Sequence, residues 1–182
     1  MGRLAVAFVT ALAIGASTAQ ARPASTGWYA EGGLGAVTFL PGADADPGPG
    51  LDMRFGRDLF SWLSFGVSVA ASSHEATPPP PPVGEWFQLY RGSAHLRLGV
   101  MIGRVAAFVE GNAGAAMISS NVLRRQVEPG ERFSLLFQAG GGFEYQLENR
   151  HYAIGLGVDA FLLPQFESIQ ALASRLYLRY TY

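Results

Sequence analysis

From Gly27 to Tyr182 the chain alternates apolar and non-apolar residues with a period of two and shows almost no i, i+3, i+4 recurrence. That period places successive side chains on opposite faces of a strand, so it excludes a helical architecture and predicts an all-β fold. Eight stretches carry it: Gly27 to Phe39, Gly50 to Arg57, Trp62 to Ser73, Trp86 to Val100, Arg104 to Ile118, Arg132 to Gln146, His151 to Leu162 and Ala171 to Tyr182.

The connections alternate too. Leu40 to Pro49, His74 to Glu85, Ser119 to Glu131 and Leu163 to Gln170 are long and polar or proline-rich, and the second contains the run Pro78 to Pro82. The links near Asp58 to Ser61, Met101 to Gly103 and Leu147 to Arg150 are tight turns. Long, short, long, short is the meander of an eight-stranded antiparallel up-and-down barrel, with loops at one rim and turns at the other.

The polar face tells which side of the barrel is oily. One face carries Leu51, Met53 and Phe55, Val67 and Val69, Leu96 and Leu98, Leu135 and Phe137, Leu156 and Val158, and Leu176 and Leu178, with no charge through the strand centres. The other carries Glu31, Asp52, Arg54, Arg91, His95, Arg97, Glu110, Gln138, Glu144, Asp159, Arg175 and Arg179, five acids against five arginines. A solvated face needs no such balance and usually contains Lys, whereas all the basic residues of this chain are Arg. Eight strands leave a lumen just wide enough for side chains, where each charge must find a partner and the planar guanidinium binds carboxylates bidentately. The expectation is an ion-paired interior and a transmembrane barrel. The inverted alternative is a soluble periplasmic barrel around an apolar ligand.

Aromatic residues prefer the water–lipid interface. Trp28, Tyr29, Phe60, Trp62, Tyr145, Tyr152, Tyr180 and Tyr182 fall at the turn-side ends of the stretches, and Phe39, Trp86, Phe87, Phe133 and Phe161 near the loop-side ends, which predicts two girdles. Lipid-facing Val67 and the solvated loop position Ala45 provide contrasting sites, the first intolerant of Arg and the second indifferent to it.

Residues 1–21 read as a cleaved signal peptide. Met1-Gly2-Arg3 is a positive start, Leu4 to Ala16 an apolar run too short to span a bilayer, and Ala19-Gln20-Ala21 a small-x-small cleavage site. Residues 22–182 then form the barrel. The formal net charge of -1 gives no basic surface for nucleic acid, and the absence of Cys removes disulfides and thiolate chemistry.

Arg175-Leu176-Tyr177-Leu178-Arg179-Tyr180-Thr181-Tyr182 alternates and finishes on an aromatic. This resembles the terminal strand of bacterial outer-membrane barrels, and with the leader and eight strands the chain resembles the small OmpA-type and OmpX-type barrels. The resemblance implies outer-membrane localisation, contact with outer-membrane lipid and lipopolysaccharide, and an insertion signal in Tyr177, Leu178, Tyr180 and Tyr182 read by the barrel insertion machinery. Two departures are Tyr182, where Phe is commoner, and the lack of a following peptidoglycan-binding domain.

Candidate chemistry is sparse. Ser72-Ser73-His74-Glu75 holds nucleophile, base and acid, but strand neighbours point to opposite faces and rarely make a triad. Asp44 and Asp46 lack the further oxygens of a calcium loop, and Arg124 and Arg125 are solvated loop charges in reach of lipopolysaccharide phosphates. The run Gly140-Gly141-Gly142 precedes no helix, so it reads as close packing in the wall rather than a phosphate cradle. No cofactor and no catalytic set is assigned. The function expected is a non-enzymatic outer-membrane barrel with a largely closed lumen and a structural or surface-interaction role through four loops. The alternative in the same fold is a small porin-like channel.

Overall fold

The computed structural model describes residues 27–41, 43, 45–76, 84–119, 132–149, 151–166 and 168–182. The leader at 1–21, Asp44, the run Pro78 to Pro82 and the pair Arg124 and Arg125 lie outside the described residues. The strands are β1 (Trp28–Phe39), β2 (Gly48–Phe60), β3 (Leu63–Ala76), β4 (Glu85–Ile102), β5 (Val105–Ile118), β6 (Phe133–Gln146), β7 (Tyr152–Leu163) and β8 (Ile169–Thr181). Each pairs antiparallel with its sequence neighbours, and β1 pairs with β8 to close the barrel. Closure leaves no free sheet edge. Among the described residues no helix is long and apolar enough to cross a membrane.

Turn chemistry sets the tight rim. The β4–β5 hairpin turns at Gly103, which has φ 64°, a left-handed conformation that glycine adopts without strain. The β2–β3 ladder shifts register between Asp58 and Phe60 before closing through Ser61 and Trp62. Strand β2 therefore runs past Arg57, and Asp58, expected in a turn, points into the lumen. The glycine run serves close packing, since a Cβ at Gly142 would stand 2.0 Å from the Leu156 carbonyl oxygen on β7.

The orientation expected from the polar face is the one observed. Val67, Leu156, Phe137 and Leu178 stand on the exterior, with Val67 58% exposed, while Arg97 and Glu110 are buried inside. The interior, however, has two storeys. The central and turn-side part is polar, but at the loop side Val37, Phe39, Phe87, Leu89, Ile118, Leu136, Phe161, Leu163, Phe166 and Ile169 pack into an apolar plug.

This corrects part of the aromatic assignment. Trp28, Trp62, Tyr145, Tyr152, Trp86 and Phe133 face outward as expected. Tyr29, Phe39, Phe87 and Phe161 instead point inward and are buried. Position along a strand decides depth, but parity decides face. Tyr29 and Phe39 share the parity of Glu31, and Phe161 that of Asp159. The loop position Ala45 is corrected as well, because it bridges to Ala76 and packs against the plug rather than lying free in solvent.

Candidate functional site in the barrel lumen

The strand registers bring inward-facing charges from neighbouring strands side by side. Glu31 lies between Arg54 on β2 and Arg179 on β8, and Arg97 faces Glu110 across β4 and β5. The side chains complete what the register begins. Arg97 donates through Nη1 and Nη2 to Glu31 at 2.8 and 3.1 Å, through Nη1 to Glu144 at 2.6 Å and through Nε to Glu110 at 3.0 Å. Its guanidinium also lies 4.3 Å from the Phe108 ring centroid. Arg179 donates to Glu31 at 2.9 Å and to both oxygens of Asp58 at 2.6 and 2.7 Å, stacked 3.8 Å from the centre of the Tyr29 ring.

Toward the loops, Arg54 donates to Asp52 at 2.9 Å and to Glu110 at 2.5 Å, and Arg175 to Asp159 at 2.6 Å and to Glu110 at 2.9 Å. Glu110 thus holds three arginines. Tyr177 donates its hydroxyl to Glu144 at 2.9 Å, and the Tyr29 hydroxyl bonds His95 Nε2 at 2.6 Å. Charge-assisted bonds of this geometry are the strong ones, and in a closed lumen they offset the cost of taking each charge out of water.

Of the expected lumen residues, Glu31, Asp52, Arg54, Arg97, Glu110, Glu144, Asp159, Arg175 and Arg179 join this network, and His95 joins it only through Tyr29. Arg91 is the exception. It lies over the Phe161 ring at 4.7 Å, with Nε buried and unbonded. Asp58, Tyr29 and Tyr177 were not among the expected network residues. The register shift carries Asp58 inward, and Tyr29 and Tyr177 lie toward strand ends but on the lumen parity. Of the four residues of the expected insertion signal, Leu178, Tyr180 and Tyr182 face outward and Tyr177 inward.

A second polar feature lies at the loop-side end of β3. Ser72 and His74 share the inward face, with Ser72 Oγ 2.8 Å from His74 Nε2, and His74 Nδ1 is 3.0 Å from the Asp46 carbonyl oxygen. A carbonyl only accepts, so Nδ1 carries the proton and Nε2 accepts from the serine. This is a nucleophile–base arrangement oriented by a backbone carbonyl rather than by Glu75. His74 is fully buried between Phe39 and Phe87, with ring centroids at 4.9 and 5.3 Å. Among the described residues no group of three or more His, Asp or Glu is arranged to hold a metal ion.

The fold is that of the small eight-stranded outer-membrane barrels. The chain is similar to the outer membrane protein OprG from Pseudomonas aeruginosa, with TM-score 0.64 and 12% identity over 90% of this chain and 99% of that one. It is also similar to Neisserial surface protein A, with TM-score 0.59 and 12% identity over 85% and 97% of the two chains. The outer membrane enzyme PagL matches at TM-score 0.50 and 10% identity over 85% and 99%. No protein-family model and no curated protein sequence matches the chain. At these identities the likeness is one of fold, and the fold hosts enzymes as well as non-enzymes.

Proposed function

We propose that this chain is a non-enzymatic barrel of the bacterial outer membrane, with a largely closed lumen and a structural or surface-interaction role carried by the four loops of one rim. The observation that carries the reading is the filled interior, in which Arg97 is 2% exposed and Arg179 1%, beneath an apolar plug that adds a second seal. A hydrated pore would need a continuous polar path, which the plug interrupts. The apolar exterior supports contact with outer-membrane lipid and lipopolysaccharide and argues against a soluble periplasmic barrel. The outward aromatics of β8 support recognition by the barrel insertion machinery.

The test is fractionation of Gram-negative cells expressing the chain, followed by gels of heated and unheated protein and planar-bilayer recordings. Outer-membrane recovery, heat-dependent migration and no steady conductance are the expected results. Recovery in a carbonate wash, or large steady single-channel currents, would remove the reading.

The Ser72–His74 hydrogen bond favours a second reading, a hydrolase at the loop-side rim. It ranks second because Phe39 and Phe87 cover the pair. Labelling of Ser72 by a fluorophosphonate in the folded protein would move it to first place.

A further inference from the structure

Among the described residues Arg91 is the one lumen arginine that meets no carboxylate. Arg54, Arg97, Arg175 and Arg179 each donate to two or more acids. The Nε of Arg91 is sealed from solvent without an acceptor, and its guanidinium lies over the face of Phe161. An aromatic face attracts the cation but supplies no lone pair to the Nε proton. Arg91 is half-buried, but a donor shut from water without an acceptor is costly, so something is expected to complete it.

Arg91 borders a cavity of about 30 Å³ between the ion network and the plug, together with Arg54, Arg175, Asp52, Asp159 and Ser93. Both carboxylates there are already engaged, Asp52 by Arg54 and Asp159 Oδ2 by Arg175. The Nε of Arg175 likewise has no acceptor. Three guanidiniums and two carboxylates thus line this chamber, and Arg54 and Arg175 also share Glu110, which leaves Arg91 as the one without an acid. Glu110 is shared with Arg97 as well, and the other acids of the network, Glu31, Asp58 and Glu144, are gathered around Arg97 and Arg179. Ser68 and Ser93 hydroxyls bond each other at 2.8 Å, which uses one of their two protons and leaves the other to turn into the chamber.

We propose that this chamber is a binding site for a small inorganic anion of halide size, held by Arg91 with help from Arg175 Nε and a serine hydroxyl. The cavity exceeds the roughly 10 to 15 Å³ needed to hold one water-sized particle, so an ion of the size of chloride or bromide fits it. Asp159 Oδ1, the buried acceptor with no donor, confines the anion to the Arg91 side. The site is independent of whether the barrel is an enzyme or an adhesive scaffold.

The full-length protein folded in detergent micelles tests this. Its thermal midpoint is measured against sodium bromide or chloride and against sodium gluconate at constant ionic strength, with ³⁵Cl line width as a direct readout. Wild type is expected to gain stability along a saturating curve in halide alone and to broaden the chloride signal. Arg91→Gln should lose both responses while keeping heat-dependent migration, and Ser93→Ala should weaken them. Equal midpoints in halide and gluconate, or a halide response that survives Arg91→Gln, would show that water fills the chamber and overturn the proposal. Should Arg91→Gln not fold, the wild-type comparison and Ser93→Ala still decide.

Discussion

Arg97 on β4 donates its Nε to Glu110 on β5 at 3.0 Å from directly opposed positions of the ladder. Because Glu110 also accepts from Arg54 and Arg175, one carboxylate holds together four strands. Glu110→Gln removes its charge while preserving its size. It is expected to destabilise the barrel by about 3 to 5 kcal/mol, the usual cost of breaking a buried ion pair from one side. Urea unfolding in lipid vesicles, followed by the fluorescence of Trp28, Trp62 and Trp86, measures it, and a loss under 1 kcal/mol would show the network to be ornamental.

The exterior gives a prediction of opposite chemistry. Val67→Arg places a charge on the apolar outer face and should cost roughly 2 to 4 kcal/mol at mid-membrane. The matching control is Glu148→Ala, since Glu148 is an exposed turn residue whose 3.4 Å contact with Arg104 is solvated and worth little. Ala45 does not serve as that control, because Arg there would push into the plug. Vesicle unfolding that ranks Val67→Arg with Glu148→Ala would contradict an outer face in hydrocarbon.

The plug itself can be opened. Phe87 is fully buried against Phe39 and His74, so Phe87→Ala should cost about 3 to 5 kcal/mol without admitting ions, because the network below remains shut. Phe87→Ala combined with Glu110→Gln should raise conductance where neither change does alone. Current through Phe87→Ala by itself would mean that the plug is the only seal.

At β3, His74→Ala leaves the Ser72 hydroxyl and the Asp46 carbonyl without their shared partner. A loss of about 1 to 3 kcal/mol is expected for stranding buried polar groups, with no change in the reaction of the protein with fluorophosphonate. If wild type is labelled and His74→Ala is not, the pair is chemical rather than structural.

Much of this was legible in the sequence. Alternation located all eight strands, and the charge-balanced face located the lumen, because a period of two ties neighbours in sequence to opposite sides of one wall. What escaped was vertical position inside the cylinder. Phe39, Phe87 and Phe161 lie at loop-side ends, where an interface girdle is expected, yet each shares the parity of a lumen charge on its own strand. Following parity alone would have assigned them inward. Asp58 escaped for a different reason, since a register shift before a two-residue turn leaves no mark in the alternation. The solitary state of Arg91 is also invisible in the sequence, because charge balance is a property of the whole face while partners are fixed locally by register.

Glu31 on β1 and Arg179 on β8 stand 148 positions apart in the chain and bond at 2.9 Å. Arg97 on β4 also holds Glu31, but the second guanidinium on that acid and the partner for the edge of β1 come only from β8, so a nascent or shortened chain would leave both unmet. Cylinder closure is therefore an all-or-nothing event with high loop-closure entropy, and assembly must wait until synthesis of the last strand is finished.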